Sequence, residues 1–350
     1  ALAELSEEQA AGLDMTRYEK ICAALNAPAL VAEQDSGHTE ADHANMIPWE
    51  ETDSLPNTAG SYYLTKDVTL TAEWEPKSGI VLCLNGKSIT LNAEGDVINM
   101  SANGTIFTLY DCHKSGTITH GKDSNDTTYN GCGVVVGGTF NMYGGKITGN
   151  VRTGYENGGG VFVSYGIFNM YDGEITNNSC GSSGGGVYVE RGTFSMSGGE
   201  ISGNTSGEYG GGIELYKKSD FTMTGGSISQ NKAENGYYGG GIDVSYGSTF
   251  TMNGGTITGN TATHTGSETG GGVYVAQDGI FTVSGAAKIT DNKRNEETNN
   301  VYLKPETITI TGALDKDASI GVTTPSVAVV GSPVTIAKGD GYTLTDDDAA

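Results

Sequence analysis

Gly158-Gly-Gly-Val-Phe-Val163, Ile167-Phe-Asn-Met170 and Glu174-Ile-Thr-Asn-Asn178 recur as Gly184-Gly-Gly-Val-Tyr-Val189, Thr193-Phe-Ser-Met196 and Glu200-Ile-Ser-Gly-Asn204. Further copies start at Gly210, Gly239 and Gly270, and a partial earlier one runs from Gly133 to Asn150. Each copy holds three strand-length pieces in which apolar residues alternate with a period of two. Val161 and Val163 match Val187 and Val189, then Ile213 and Leu215, then Ile242 and Val244. Phe140, Phe168, Phe194, Phe221, Phe250 and Phe281 make a second apolar column, and Ile147, Ile175, Ile201, Ile228, Ile257 and Ile289 a third. No single copy can bury such a face alone. Stacked at about 4.8 Å per coil, the copies share one continuous core. The fold class is therefore all-β, a right-handed parallel β-helix with three short strands per coil.

The corners repeat as well. The pairs Gly198-Gly199 and Gly225-Gly226 suit turns that need positive φ. Asn150, Asn178, Asn204, Asn231, Asn260 and Asn292 occupy one position and predict a ladder of side-chain amides running from coil to coil.

Outside the repeat, Ser6-Glu-Glu-Gln9 and Thr16-Arg-Tyr-Glu19 match capping boxes, and Met15, Tyr18, Cys22 and Leu25 form an apolar stripe. Residues 1–30 thus read as a short N-terminal helical cap and 31–60 as a linker. Residues 61–300 read as the β-helix. Residues 301–350, with Thr307-Ile-Thr-Ile310 and Val334-Thr-Ile336, read as a C-terminal β cap that continues into a longer protein.

Composition limits the partners. The chain has 55 Gly against 7 Pro, 36% hydrophobic residues and a formal charge of -23. Glycine at about twice its usual share, combined with regular apolar spacing, marks recurrent turns rather than disorder. The acidic balance argues against nucleic acid and against anionic membrane surfaces. No run is long and apolar enough for a membrane helix. The five cysteines, Cys22, Cys83, Cys112, Cys132 and Cys180, have no zinc-type spacing and read as small core hydrophobes. His38, Glu40, Asp42 and His43 fall together in a polar segment that reads as solvated linker, with metal binding by it left open. No metal or other cofactor is implied.

The motif Gly-Gly-Gly-Val-Tyr-Val, Gly-Thr-Phe-x-Met-x-Gly-Gly-x-Ile-x-Gly-Asn resembles the repeats of β-helix surface proteins of gut Firmicutes. So do Leu82-Cys-Leu-Asn-Gly-Lys87 and Ser319-Ile-Gly-Val-Thr323. The resemblance covers most of residues 48–350. It implies an extracellular or cell-surface setting and the solenoid of the pectate-lyase-like superfamily, a fold that also resembles β-helix glycosidases acting on milk and mucin glycans. None of the catalytic motifs of those enzymes matches here, so none is carried over.

The repeat supplies its own control for function, because a column that breaks pattern at one place needs a further reason. The outward residue of the Gly-Gly-Gly strand runs Val135, Phe162, Tyr188, Glu214, Asp243, Tyr274. Two carboxylates in adjacent coils stand about 4.8 Å apart at Cα, near the carboxyl spacing of about 5–5.5 Å in retaining glycosidases. Aromatic neighbours suit sugar rings. Glu214 and Asp243 are the candidate catalytic pair. Phe162, Tyr188, Tyr274, Arg191, Tyr237 and Tyr238 are the candidate substrate-binding residues. The loops that follow Asn231 and Asn260 are longer than their predecessors and are expected to wall that face. Three functions fit: a glycan-binding surface protein or adhesin meeting mucin or plant polysaccharide, a glycoside hydrolase or polysaccharide lyase, and a purely structural stalk. Under the third, the two carboxylates only keep an exposed outer face soluble.

Overall fold

The computed structural model describes residues 38–235, 238–263, 269–304, 307–323 and 337–339. The expected N-terminal helical cap, residues 1–30, lies outside the described residues, as do Tyr237, the 334–336 strand and the acidic end of the chain. The described residues from Glu40 onward form one compact unit.

That unit is a right-handed parallel β-helix. Equivalent residues of successive copies are direct ladder partners: Val161, Phe162 and Val163 face Val187, Tyr188 and Val189, and Phe194 faces Phe221. The interior columns are buried because alternation points every second side chain inward. The phenyl rings from Phe107 to Phe281 in this column are at most 1% exposed. They stack nearly flat on one another, with Phe194 and Phe221 at 4.6 Å between centroids and 9° between planes. Offset stacking of this kind adds to burial, which for a phenyl ring contributes about 1.5–3 kcal/mol.

Each full coil carries one segment more than the sequence pattern indicates. Directly after the ladder asparagine, two-residue strands such as Ser179–Cys180, Thr205–Ser206 and Lys232–Ala233 pair in parallel. They are too short to register as an alternating run.

The asparagine ladder is continuous. Nδ2 of Asn178 donates to Oδ1 of Asn204 at 3.0 Å, and Asn204 to Asn231 and Asn231 to Asn260 at 2.9 Å each. The ladder has terminators that the repeat does not announce. His120 Nδ1 lies 2.8 Å from Asn150 Oδ1 at one end, and Asn292 donates to Asn300 at 3.1 Å at the other. The glycine pairs have two separate tasks. Gly226 adopts φ 83°, whereas a Cβ on Gly225 would meet the Ser197 carbonyl oxygen at 2.4 Å.

Parallel pairing runs beyond 61–300 on both sides. Ile47–Trp49 pairs with Tyr62–Leu64, within the stretch read as linker, and Val301–Leu303 pairs with Val273–Val275. No helix among the described residues is long and apolar enough to cross a membrane.

Candidate functional site

Four successive strands of one face position the site: Val187–Glu190, Ile213–Tyr216, Ile242–Val244 and Val273–Val275. Their inward residues are core valine, isoleucine and leucine. Their outward middle residues are Tyr188, Glu214, Asp243 and Tyr274, in direct register. The sequence predicts an outward-facing pair in a groove walled on one side by the longer loops. Instead, Glu214 is 3% exposed and Asp243 1%. They form part of the wall of a cavity of about 630 Å³ that is lined on both sides of the pair by tyrosines.

The rim comes from two sides. After the ladder asparagines, Tyr209 and Tyr238 stand one residue before their glycine runs and stack at 5.6 Å. Tyr238 then stacks on Tyr274 at 4.0 Å. Past the strand ends, Tyr216 meets Tyr246 edge-on at 4.7 Å, and Lys217 holds Glu190 at 3.0 Å. Gln277, Asp278 and Lys304 complete that side.

At the wall, the Ser245 hydroxyl donates to Glu214 Oε1 at 3.0 Å. Glu214 Oε2 and Asp243 Oδ2 are buried without a hydrogen-bond partner among the described residues. Burial pushes the Glu214 carboxyl well above the usual range, and the neighbouring Asp243 charge pushes it further. Burial likewise pushes Asp243 up, to about 8. Among the described residues no basic group offsets either shift. Two like charges this close in a dry wall do not both ionise near neutral pH, so the pair retains at least one proton. Two of the lining phenols, Tyr188 and Tyr209, are also harder to ionise. Burial and the Glu214 charge push Tyr188 up, and burial pushes Tyr209 to about 12. The cavity therefore presents stacked aromatic faces and a carboxyl pair with two unpartnered oxygens, at least one proton being held by the pair.

Of the residues singled out in the sequence, Glu214, Asp243, Tyr188, Tyr238 and Tyr274 meet in this cavity. Phe162 and Arg191 stand apart from it. The Arg152 guanidinium covers the Phe162 ring at 5.4 Å, and Arg191 donates to the Tyr165 hydroxyl at 2.6 Å. Tyr209 and Tyr216 are lining residues that sequence reasoning did not select. For Tyr209 a signal existed: it holds the same place before its glycine run as Tyr238 does, and the two form a parallel bridge.

Comparison with protein-family models, with curated proteins and with solved structures finds no match to the chain. The parallel solenoid rests on the repeat and its ladder register, and the cavity on its own geometry.

Proposed function

We propose that the chain is a carbohydrate-binding β-helix protein and that the tyrosine-lined cavity over Glu214 and Asp243 is its saccharide site. One observation carries this reading: two buried carboxyls with unpartnered oxygens sit in the wall of a cavity lined by stacked tyrosines. Leaving buried polar groups unpaired costs about 1–3 kcal/mol each, a cost that a ligand rich in hydroxyls, which both donate and accept, offsets. The C–H faces of pyranose rings suit aromatic faces, and the volume lies within the range of small-ligand sites. The motif likeness to surface proteins of gut Firmicutes supports an extracellular or cell-surface setting, with host mucin or plant polysaccharide as partner.

A second reading, a glycoside hydrolase acting with retention, is favoured by the carboxyl pair itself. Register places the two in adjacent coils, and retaining enzymes space their carboxyls at about 5–5.5 Å. Glu214, pushed up by both burial and its neighbour, is then the proton donor to the leaving oxygen, and Asp243, once ionised at a pH near or above about 8, the carboxylate that attacks the anomeric carbon.

A glycan array on the purified chain tests the first reading. Tyr274→Ala should abolish or strongly weaken any hit, and an array blank for a fully folded chain sinks the reading. Turnover assays on mucin-type, milk-type and plant oligosaccharides test the second. Glu214→Gln should lower turnover by about two to four orders of magnitude, and equal rates in both proteins retire catalysis.

A further inference from the structure

A second cluster of reactive side chains lies on the outside of the first coils, far along the solenoid from the carboxyl pair. Cys83 ends the strand Ile80–Cys83 and has Tyr63 and Tyr110 as its register neighbours. This outward column continues as stacked rings, Tyr110 on Tyr143 at 4.8 Å and Tyr143 on Tyr171 at 4.3 Å. At Cys83 a thiol interrupts the column. His43, from the 3-10 helix Glu40–Asn45, lies flat on Tyr63 at 4.2 Å and 8°, which fixes the plane of its imidazole. Cys112 follows the strand Ile106–Tyr110.

These three side chains converge. Cys112 Sγ lies 3.7 Å from Cys83 Sγ and 3.7 Å from His43 Nε2. A ring nitrogen of His43 also lies within 4.8 Å of Cys83 Sγ. Thiol–thiol contacts are weak hydrogen bonds, so this arrangement gains little from them. It does suit a metal. Zinc–sulfur bonds of about 2.3 Å and zinc–nitrogen bonds of about 2.0–2.1 Å, at tetrahedral angles, set sulfurs about 3.8 Å apart and sulfur and nitrogen about 3.6 Å apart.

We propose that His43, Cys83 and Cys112 form a zinc site, with the fourth position taken by water or an exchangeable ligand. On binding, each thiol gives up its proton to solvent and the imidazole binds through neutral Nε2. Two thiolates and an imidazole select a borderline-soft ion over calcium or magnesium, which take oxygen ligands. The ion would tie the Glu40–Asn45 helix to two successive coils and so fasten the first described turns of the solenoid, each of which is held by its neighbours. The Glu40–His113 pair at 2.7 Å already links the same helix to the same corner.

Cobalt(II) titration of the reduced chain tests the site. Thiolate-to-cobalt charge-transfer absorption should appear at stoichiometric metal and bleach when zinc is added. Zinc should also raise the thermal midpoint and shield both thiols from alkylation. Cys112→Ser, at a half-buried position, and His43→Gln should each weaken zinc binding by at least about 100-fold, since even outer-shell changes cost about 10–100-fold. Both variants should fold without metal. A folded chain with both thiols titratable and no charge-transfer band overturns the proposal. So does undiminished zinc binding in Cys112→Ser, or a Cys83–Cys112 disulfide in the chain as purified.

Discussion

Glu214 and Asp243 occupy positions that Tyr188 and Tyr274 hold one coil away on either side, so the fold itself accepts an aromatic there. Their cost is electrostatic. Each carboxyl is harder to deprotonate in the folded chain than in the unfolded one. Folding therefore favours the protonated forms. This contribution is fully present below the unfolded carboxylate range, near about pH 4. It is lost as pH rises through the folded value, which for Asp243 is about 8. Thermal midpoints should accordingly fall between about pH 5 and about pH 9 by more than in Asp243→Asn or Glu214→Gln, whose curves should be flatter. Identical pH profiles in all three proteins would mean that the wall is wetter than its geometry implies. Tyr274 bears on recognition rather than on titration. It is 2% exposed and stacks on Tyr238, so Tyr274→Ala also removes the ring that holds the rim tyrosine in place. Saccharide affinity should drop by about tenfold or more, as expected where stacking carries the binding, and titration calorimetry would read it.

At the scale of the coil, the asparagine ladder and the phenylalanine column hold successive turns in register. Asn204 accepts both the backbone N–H and the side-chain amide of Asn178, and donates to the Ile175 carbonyl and to Asn231. Asn204→Ala removes all four bonds; the Asn178 amide keeps the Ile147 carbonyl and Asn231 Oδ1 keeps the backbone N–H of residue 204, while the Asn178 backbone N–H loses its side-chain acceptor and the Ile175 carbonyl its side-chain donor. At about 1–3 kcal/mol for each buried group left unpaired, partly relieved by relaxation, the loss should be on the order of 3 kcal/mol in chemical denaturation. An unchanged denaturation midpoint would show that the ladder is decorative. These columns were legible in the sequence because the same residue recurs at the same phase of each copy, so alternation and position agree. The carboxyl pair was legible for the converse reason, since it breaks its column. Its burial was not legible. Burial depends on Tyr209, Tyr216 and Tyr238 arriving from other segments of the coil, and no alternation pattern reports where a rim forms. The His43–Cys83–Cys112 cluster was hidden for a related reason. Cys112 lies 69 residues from His43 and 29 from Cys83 along the chain, and only the coil pitch brings the three together.

Taken whole, the molecule places its two candidate sites on different coils of one stack, and each coil touches only its neighbours. The carboxyl cavity needs the strands from Val187 to Val275 and Lys304 beyond them, whereas the thiol–imidazole cluster needs only the first turns. A stack of this kind is held by nearest-neighbour interfaces, so damage should remain local until it is large enough to unfold the array. Phe194 gives the sharpest case. It is fully buried and stacks on Phe168 at 4.8 Å and on Phe221 at 4.6 Å, so it belongs to two interfaces at once. Phe194→Ala should cost about 3–5 kcal/mol, through lost burial and the void left in a column that cannot collapse along its own axis. In native-state hydrogen exchange, the loss should concentrate in the flanking strands Ile167–Thr176 and Asp220–Met223. Ile80–Cys83 and Ile280–Gly285, several coils away, should keep wild-type protection under conditions where local opening dominates. The cavity takes its wall from the coil that carries Phe194 and from its neighbours, so saccharide binding should weaken even though no lining residue has changed. Zinc protection of the Cys83 and Cys112 thiols should stay as in the wild type. A uniform fall in protection from Ile80 to Gly285 would instead mean that the stack opens as a single unit, and that its two ends are energetically coupled across the whole length of the core.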